Sequence, residues 1–317
     1  MHKSLVTVFG GSGLLGRHAV RLLADSGAGY RLRVAVRHPN QANYLPPMGD
    51  VGQIQLFKGD VRDADAVAAA VKGTEAVVNL VGILYRGGGQ TFDAIHVEAA
   101  GTIAKAAKAA GARALVHVSS IGADEDSESN YARTKAQGEA RVREAFPQAS
   151  ILRPSIVFGP EDNFFNTFAW LARMSPVLPL IGGGHSKFQP VFAGDVAAAI
   201  RKCIEDPAAA GKTYELGGPG IYSFKELMQI ILRETGRKRL LVPVPFFIAT
   251  LQSYFLQFMP VPLLTPDQVR MLKKDNVVAK ATLTFADLGI QPDGLESIVP
   301  AYLWRFRSKG QYQTIAP

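Results

Sequence analysis

Short apolar runs follow one another through the first half of the chain. They are nearly continuous in valine, isoleucine and leucine, which is typical of strands buried on both faces. The runs are LVTVFG at 5–10, RLRVAVR at 31–37, QIQLFKGD at 53–60, EAVVNLVG at 75–82, ALVHVSS at 114–120 and ASILRPSIVFG at 149–159. Between them lie segments with helical spacing that end in glycine, a common helix stop. This alternation predicts an α/β fold with a doubly wound parallel sheet.

The pattern loosens after Gly159. FQPVFAGDVAAAIRKCIED predicts a strand-like piece and a helix, KTYELGGPG predicts another strand, and SFKELMQIILRETG predicts an amphipathic helix. The last hundred residues are rich in proline and aromatic residues, and only short helices are expected there. We therefore predict a large α/β domain over residues 1–158, to which 188–218 returns. A smaller, mostly helical C-terminal domain would comprise 159–187 and 219–317.

Residues 240–264, LLVPVPFFIATLQSYFLQFMPVPLL, contain no charged residue and follow the basic run 237–239. Prolines near both ends would break a helix there. The remaining helix, 246–259, would be about 20 Å long, too short for a bilayer core. Polar residues lie along one face of it, and apolar residues crowd the other. The polar residues are Thr250, Ser253 and Gln257, and the apolar ones are Phe247, Leu251, Tyr254, Phe255 and Phe258.

Such an amphipathic helix could lie in a membrane interface or in a protein groove. The basic run 237–239 would favour anionic lipid, with each charge contributing on the order of 1 kcal/mol at the surface. A core helix packed within the same chain is the alternative.

The overall charge favours acidic partners. The 317 residues include 35 Lys and Arg against 27 Asp and Glu, for a formal net charge of +8. Phosphate-bearing ligands, anionic lipid, an acidic protein or nucleic acid would all fit. The basic residues are dispersed and no nucleic-acid module is recognised, so we expect no nucleic-acid role. The six histidines show no paired spacing, so we expect no metal site.

The single cysteine, Cys203, cannot form an intrachain disulfide, which fits a reducing compartment. We expect it to be a small buried apolar group on a helix around 195–205. No targeting segment is visible, because strand-like sequence begins at Ser4. We therefore expect either a bacterial protein on the cytoplasmic side or a processed organellar one.

VFGGSGLLGRHAV sets three glycines at GxxGxxG spacing between a strand and a helix. Gly10 permits a tight turn, Gly13 lets the backbone approach a pyrophosphate, and Gly16 lets the helix sit close to the sheet. A second strand follows at the expected distance, so the pattern predicts a Rossmann-type dinucleotide-binding domain. The predicted contacts of this loop are Gly10, Gly11, Ser12, Gly13, Leu14, Leu15, Gly16 and Arg17.

The second strand ends in Arg37, where NAD-preferring sites usually have an acidic residue for the ribose 2′-hydroxyl. Arginine can instead pair with a 2′-phosphate, and Arg17 and His38 add positive charge. We therefore favour NADPH over NADH, although a solvated strand-end arginine would also fit. Further contacts are predicted where later strands end. They are Asp60 and Val61 beside the adenine, then Leu80, Val81, Gly82, Ser119, Pro154, Ser155 and Ile156.

YARTKAQGEA places Tyr131 and Lys135 four residues apart, on one face of a helix. A lysine beside a phenol favours the phenolate and can also hold the nicotinamide ribose. A hydroxyl of Ser119 or Ser120 could complete a proton relay. The candidate catalytic residues are Ser120, Tyr131 and Lys135, whether active or vestigial.

The order of these motifs, with LRPSIVFGP at 152–160 and QPVFAGDVA at 189–197, resembles the extended or atypical short-chain dehydrogenase/reductase superfamily. One residue departs from that superfamily. His96 stands where the superfamily commonly has an asparagine linked to its proton relay, which puts full catalytic competence in question. We interpret His96 as a partly buried helix residue rather than a catalytic one.

Segments 44–63, 131–166 and 285–292 resemble a narrower family, the NADPH-binding accessory subunits of respiratory complex I of the alpha-subcomplex subunit 9 type. The resemblance covers most of the chain and implies a tightly held, structural NADPH. It also implies docking to other complex I subunits beside the quinone-reducing arm, near the membrane surface. The location would be peripheral, on the cytoplasmic side of a bacterial inner membrane or the matrix side of a mitochondrial one. Residues 237–264 would contact anionic lipid or a partner subunit.

Two other functions stay open. One is a free-standing NAD(P)H-dependent reductase, epimerase or dehydratase acting on a small carbonyl or sugar-nucleotide substrate. Its pocket would be lined by Asn163, Phe164, Gln189 and the loop 181–188. The other is a regulator that senses the NADPH level, and only the net charge and the glycine loop support it.

Overall fold

The computed structural model describes residues 4–25, 27 and 29–312. Its strands and helices alternate through the first half of the chain. In chain order they are β1 (Leu5–Phe9), α1 (Leu14–Ala24), β2 (Arg31–Val36), β3 (Ile54–Lys58), α2 (Ala64–Val71), β4 (Ala76–Asn79), α3 (Ala99–Ala109), β5 (Ala114–Val118), α4 (Asn130–Ala145), β6 (Ser150–Pro154), β7 (Val157–Phe158), α5 (Phe164–Met174), β8 (Val177–Ile181), β9 (Lys187–Phe188), β10 (Val191–Phe192), α6 (Ala193–Glu205), β11 (Thr213–Leu216), β12 (Tyr222–Ser223), α7 (Phe224–Thr235), β13 (Leu240–Val244), α8 (Phe246–Leu256), α9 (Pro266–Met271), α10 (Leu295–Ile298) and α11 (Pro300–Leu303). A π-helix, Asp93–Glu98, precedes α3, and short 3₁₀ helices include Pro39–Ala42 and Pro46–Met48.

The chain forms two compact units. Unit 1 comprises the described residues up to Pro154, together with Ala193–Leu216 and Lys280–Gln291. Unit 2 comprises Ser155–Phe192, Gly217–Ala279 and the described residues from Pro292 onward. Residues 280–291 were predicted to lie in the smaller domain. This segment belongs to unit 1 because it runs beside β11, where the Glu215 amide donates to the Leu283 carbonyl oxygen at 2.8 Å.

Unit 1 is built on a seven-stranded parallel sheet with the order β11-β6-β5-β4-β1-β2-β3. This confirms the predicted Rossmann-type, doubly wound fold. The strand order reverses direction at β1, because β2 lies on one side of it and β4 on the other. In such sheets a ligand crevice opens outside the carboxyl ends of the two strands that flank the reversal. The predicted site residues of unit 1 therefore have a common edge on which to meet.

Helices cover both faces of this sheet. Val8 of β1 faces α1, where Val20 lies close to it around Gly11, and α1 packs against α6. Phe9 points to the opposite face and joins an apolar cluster with α2, α3 and α4. Successive strand residues point to opposite faces, so a strand covered on both sides must be apolar throughout. That is why the valine-rich runs identified the strands.

Unit 2 has its own core, in which α5, α7 and α11 pack together. Phenylalanine rings of 158, 165 and 224 are fully buried in it. At the start of α5, Asp162 Oδ1 accepts from the Phe165 amide at 2.6 Å, and the Tyr302 hydroxyl donates to Asp162 Oδ2 at 2.7 Å. One predicted strand is divided, because 149–159 forms β6 in unit 1 and β7, which pairs with β10, in unit 2.

The uncharged segment contributes a strand and a helix to unit 2. β13 pairs in parallel with β8, and α8 packs on α9 with Ala249 and Ser253 buried. Of its polar residues, Ser253 is buried and Thr250 is half-buried, and both hydroxyls donate to backbone carbonyl oxygens of the same helix. We call its opposite side the apolar face of α8. It comprises Phe247, Leu251, Tyr254, Phe255 and Phe258, which are 50–83% exposed.

This orientation differs from that of a core helix, whose large apolar side chains would be buried. Within the described residues, no helix has both the length and the apolar character needed to cross a membrane. Two members of the basic run before β13, whose charges were expected to favour anionic lipid, are engaged within unit 2. Arg237 donates to the Phe306 carbonyl oxygen and Arg239 to that of Ala172, so Lys238 is the exposed member.

Candidate nucleotide-binding site

The turn after β1 brings the backbone of α1 against the ends of β1 and β4. We call residues 10–16 the phosphate loop. Gly10 has φ +78°, and a Cβ there would lie 3.1 Å from the Leu80 carbonyl carbon. A Cβ on Gly16 would lie 2.3 Å from the Gly10 carbonyl oxygen, closer than any real Cβ contact. Glycine at both positions is therefore what lets α1 start directly at the edge of the sheet.

The first turn of α1 is open to an anion. Gly13 occupies the N-cap position, no side chain caps the helix, and its first turn contains no acidic residue. By contrast, Asp63 caps α2 and Ser223 caps α7 through their side chains. Free amide groups and the positive end of the helix dipole make such a terminus suited to a pyrophosphate. The loop thus fits the phosphates of a dinucleotide.

A basic cavity of about 310 Å³ lies beside the phosphate loop. Its lining contains three side chains that carry or can carry positive charge and no acidic one. The lining residues are Ser12, Arg17, Val36, Arg37, His38, Gln41, Ala42 and Tyr44. Arg37 and His38 are exposed side chains directly after β2, so the end of this strand presents cationic groups to the cavity. Such a lining suits a phosphate rather than a neutral ribose hydroxyl.

A second cavity, of about 510 Å³, shares Arg37 and His38 with the first and reaches Asp60 after β3. The Asp60 carboxylate accepts from Arg62 at 3.0 and 2.7 Å. This pairing with Arg62 lowers the pKa of Asp60 to about 2, even though burial opposes the shift. Asp60 therefore stays ionised and engaged with Arg62. Val61 follows it at the same strand end.

Tyr44 and Gln41 were not identified from the sequence. They lie on the loop between β2 and β3, which contains both 3₁₀ helices named above. The available signal was the segment starting at Tyr44, which was noted for its family resemblance. Nothing in its composition indicated that it would reach the phosphate loop.

The candidate catalytic residues meet at the ends of β4 and β5. Tyr131 hydrogen-bonds Ser120, and the Lys135 Nζ lies 6.0 Å from the centre of the Tyr131 ring. A Cβ on Gly82 would lie 3.3 Å from that Nζ. The structure therefore brings Gly82, Ser120, Tyr131 and Lys135 together.

The electrostatics differ from the expected phenolate. Burial raises the pKa of Tyr131, against a smaller lowering by the hydrogen bond with Ser120. Lys135 donates to the Val118 carbonyl oxygen at 3.1 Å. Burial lowers the pKa of Lys135 to about 8, although the Glu139 carboxylate acts to raise it. The side chains of this pair thus favour a neutral phenol.

His96 is a buried residue of the π-helix and is held at both ring nitrogens. Its Nε2 accepts from the Ile83 amide at 3.1 Å, which leaves Nδ1 as the donor to Thr134 Oγ1 at 3.0 Å. Burial, then the charge of Lys135, lowers the pKa of His96 to about 2. The ring also packs edge-on against Tyr131, with centroids 5.3 Å apart. A neutral ring with both nitrogens engaged orients its neighbours and does not take up a second proton near neutral pH.

Charges behind Lys135 are paired with each other. Arg153 on β6 donates to both oxygens of Glu139 at 2.9 and 2.7 Å, and it lies 3.7 Å from Glu215 on β11. The Glu139 carboxylate is thus committed to Arg153. Lys135 is left as a buried ammonium that donates to the Val118 carbonyl oxygen, and burying a charge in this way lowers the stability of the folded chain.

The Ser119 hydroxyl is a further group that a bound ligand could hydrogen-bond. Its Oγ is buried at the end of β5 and has no hydrogen-bond partner within the described part of the chain. A buried hydroxyl without a partner costs roughly 1–3 kcal/mol, which a bound ligand would recover. Leu80 and Val81 end the neighbouring β4 region, and Pro154 ends β6. Each of these unit 1 residues lies at a strand's carboxyl end.

Two of the predicted contacts belong to unit 2. Ser155 Oγ donates to Asn276 at 3.0 Å for the carbonyl oxygen and 2.7 Å for Oδ1, and Ile156 accepts from the Val191 amide through its backbone. Their role toward a nucleotide stays a prediction.

The substrate-pocket residues of the alternative function also lie in unit 2. Gln189 is held there by Gly218 and Val278. The Phe164 ring packs against four other phenylalanine rings, and Asn163 is exposed at the start of α5. Two of these three side chains are therefore used inside the unit.

Comparison with known proteins places this site in context. Residues 10–162 match a family model described as NAD(P)H-binding, so the chain carries such a domain. The mitochondrial NADH dehydrogenase (ubiquinone) 1 alpha subcomplex subunit 9 of Arabidopsis thaliana is 36% identical over 96% of this chain and 79% of its own length. A ceramide reductase of Caulobacter vibrioides is 32% identical over 77% of this chain and 74% of its own length.

Among solved structures, the NADPH-dependent quinone oxidoreductase QOR2 of Escherichia coli, complexed with NADPH, superposes with a TM-score of 0.75. It is 20% identical, and the match covers 94% of this chain and 99% of that one. At that identity the likeness supports the fold alone.

The buried Lys135 predicts a gain in stability when its charge is removed. Between its folded pKa of about 8 and its unfolded value of about 10.4, the unfolded chain binds more protons, so the unfolding free energy rises with pH. Below pH 8 the buried ammonium lowers stability. We expect Lys135→Met to raise the unfolding free energy of nucleotide-free protein by roughly 1–3 kcal/mol at pH 7. The gain should shrink toward pH 10.

Urea denaturation at pH 7 and pH 10 measures both quantities. Lys105→Met, at an exposed position of α3, is the matched control and should change little at either pH. The account of Lys135 as a buried, destabilising charge would be contradicted if Lys135→Met were less stable than wild type at pH 7. It would also be contradicted if the gain in unfolding free energy were the same at pH 7 and pH 10.

Proposed function

Because the chain belongs to the family of the complex I alpha-subcomplex subunit 9, we propose that it is an NADPH-binding accessory subunit of respiratory complex I. The observation that carries the proposal is 36% identity extending over 96% of the chain. An identity spread over both units covers the nucleotide domain and the C-terminal region together. The match of residues 10–162 to an NAD(P)H-binding family model supports membership in the wider short-chain dehydrogenase/reductase superfamily.

NADPH is the nucleotide that the cavity lining supports. Arg17, Arg37 and His38 supply donors for the 2′-phosphate, while the open first turn of α1 supplies backbone amides for the pyrophosphate. Charge-assisted hydrogen bonds from arginine to phosphate are roughly twice as strong as neutral ones. The Asp60 carboxylate after β3 is already engaged by Arg62.

The role of the nucleotide is structural in this proposal. When turned over, NADPH supplies a hydride, and a carbonyl acceptor then needs a proton donor poised near neutral pH. Here burial raises the pKa of Tyr131, and Lys135 donates to a backbone oxygen. His96 is neutral and bonded at both nitrogens. These features support a Lys135 that holds the ribose beside a tightly packed Tyr131 ring, rather than a pair that relays protons.

The apolar face of α8 is the proposed attachment surface. Its five large side chains are 50–83% exposed and are costly to leave in water, and such patches commonly mark interaction sites. The exposed Lys238 and the net charge of +8 favour an anionic membrane surface nearby. In this account α8 docks at the membrane side of complex I, close to the quinone-reducing arm. The protein is peripheral, on the matrix side of a mitochondrial inner membrane or its bacterial cytoplasmic equivalent.

A second candidate function is favoured by one observation, the 32% identity to a ceramide reductase. With Tyr131, Lys135 and Ser120 still together, a free-standing NADPH-dependent reductase of a carbonyl substrate remains chemically coherent. The two candidates differ in whether Tyr131 must donate a proton. They share the nucleotide site.

Loss of the charge on Arg37 should weaken the binding of NADPH more than the binding of NADH. We expect Arg37→Ala to raise the NADPH dissociation constant about tenfold or more and that of NADH less than about threefold, because only NADPH carries the 2′-phosphate. Isothermal titration of nucleotide-free protein measures both constants. Arg31→Ala, at the exposed start of the same strand, is the control. If the dissociation constants of NADPH and NADH rose by the same factor, Arg37 would not be the residue that recognises the 2′-phosphate.

Polar substitutions on the apolar face of α8 should abolish incorporation into complex I without affecting NADPH binding. The triple variant Phe247→Gln, Leu251→Gln and Phe255→Gln should keep its NADPH and its unfolding temperature, since these side chains are exposed. It should be absent from complex I purified from the membranes of the source cells. Met174→Gln with Ile221→Gln, two exposed apolar residues elsewhere in unit 2, is the control pair.

Retention of the triple variant in the complex would contradict the docking proposal. Flotation with vesicles of anionic phospholipid identifies the contact. Wild-type protein that floats while the triple variant does not indicates lipid, and wild-type protein that does not float indicates a partner subunit.

Substitution of Tyr131 distinguishes the two candidate functions. We expect Tyr131→Phe to leave complex I assembly and bound NADPH unchanged, because the ring and its packing against His96 are retained. Assembly is followed by native gel electrophoresis, and NADPH oxidation is assayed with ceramide-type and short-chain carbonyls. Carbonyl-dependent oxidation that falls about 100-fold or more in Tyr131→Phe would favour the reductase instead.

A further inference from the structure

Tyr44 joins the loop between β2 and β3 to the phosphate loop. Its hydroxyl donates to the Ser12 carbonyl oxygen at 2.6 Å and accepts from Arg17 Nη2 at 3.2 Å. The Arg17 guanidinium also lies over the Tyr44 ring, with its central carbon 4.7 Å from the ring centre. Tyr44, Ser12 and Arg17 all line the cavity of about 310 Å³ that contains Arg37.

The loop that carries Tyr44 is anchored without it. Ala42 and Leu45 on either side of Tyr44 are buried, at 1% and 0% exposure. At the far end, Gln53 accepts from the Asp50 amide at 2.7 Å and donates to the Ala24 and Tyr30 carbonyl oxygens at 2.8 and 3.0 Å. Tyr44 itself remains 37% exposed. Its side chain therefore contributes little to holding the loop.

The contact geometry suits a supporting role toward an anion. Stacking on Tyr44 fixes the face of the Arg17 guanidinium, and Nη2 donates to the Tyr44 hydroxyl and, at 3.5 Å, to the Ser12 carbonyl oxygen. Arginine recognises phosphate through the donors along its edge, so both contacts set the direction in which that edge points. A free arginine side chain has several rotamers, and fixing one of them in advance removes that entropic cost from binding. Tyr44 supplies this fixation from one side, and its hydrogen bond to Ser12 fixes the ring in turn.

We propose that Tyr44 is a positioning residue that sets the preference for a 2′-phosphorylated dinucleotide, by holding the Arg17 guanidinium in the cavity that Arg37 completes. The inference rests on the proposed NADPH function and adds Tyr44 to the residues that set the selectivity, beside Arg17, Arg37 and His38. Arg37 and Arg17 touch the 2′-phosphate, and Tyr44 acts through Arg17.

The test compares NADPH and NADH binding by nucleotide-free, full-length protein. We expect Tyr44→Ala to raise the NADPH dissociation constant about tenfold while NADH changes less than about twofold. Tyr44→Phe, which keeps the stacked ring, should stay within about threefold of wild type for NADPH. Tyr312→Ala, at an 84% exposed tyrosine of unit 2, is the matched control.

A double-mutant cycle separates positioning from simple support of the loop. If Tyr44 acts through Arg17, then Tyr44→Ala should add less than about twofold to the loss already caused by Arg17→Ala. Additive losses, equal weakening of NADPH and NADH, or an unchanged NADPH constant in Tyr44→Ala would each overturn the inference. Wild-type protein that binds NADPH no better than NADH would instead refute the proposed function itself.

Discussion

The nucleotide site depends on the contact between the start of α1 and the turn after β1. With only 2.3 Å between a Cβ on Gly16 and the Gly10 carbonyl oxygen, the helix can begin at the sheet edge only if that Cβ is absent. This contact directs the uncapped first turn of α1 into the crevice beside β4. The basic cavity after β2 then lies next to the phosphate loop. A dinucleotide bound there would contact the ends of several strands. Such contacts would stabilise the folded subunit even if the nucleotide never reacts.

The residues beside the crevice are arranged for holding rather than for turnover. A catalytic Tyr–Lys pair needs a phenol that titrates within reach of neutral pH, but burial raises the pKa of Tyr131. Burial also lowers the pKa of Lys135 to about 8, while its acidic neighbour Glu139 is paired with Arg153. Lys135 therefore reduces stability until a ligand compensates for it. A buried charge that lowers stability is typical of a functional contact, and in this account that contact is with the ribose.

The sequence pattern predicted the strands, the glycine turn and the shared helix face of Tyr131 and Lys135, because each depends on local periodicity or on the geometry of glycine. The valine-rich runs located the sheet, because strands covered on both faces must be apolar throughout. The spacing of Tyr131 and Lys135 placed them on one face of α4. Long-range contacts were not predictable: the reach of Tyr44 to Ser12, the bonds of His96 to Ile83 and Thr134, and the Leu283 segment beside β11. The inward direction of Ser253 on α8 was also missed, since periodicity separates two faces without saying which one is buried.

The central claim is that NADPH is a resident part of the protein. The most direct measurement is the nucleotide content of protein isolated with its native membranes, released by denaturation after extensive dialysis and quantified by chromatography. The account predicts close to one NADP(H) per chain and little NAD(H), with no loss when carbonyl compounds are added. Native protein with an empty site that also fails to take up added NADPH would contradict it.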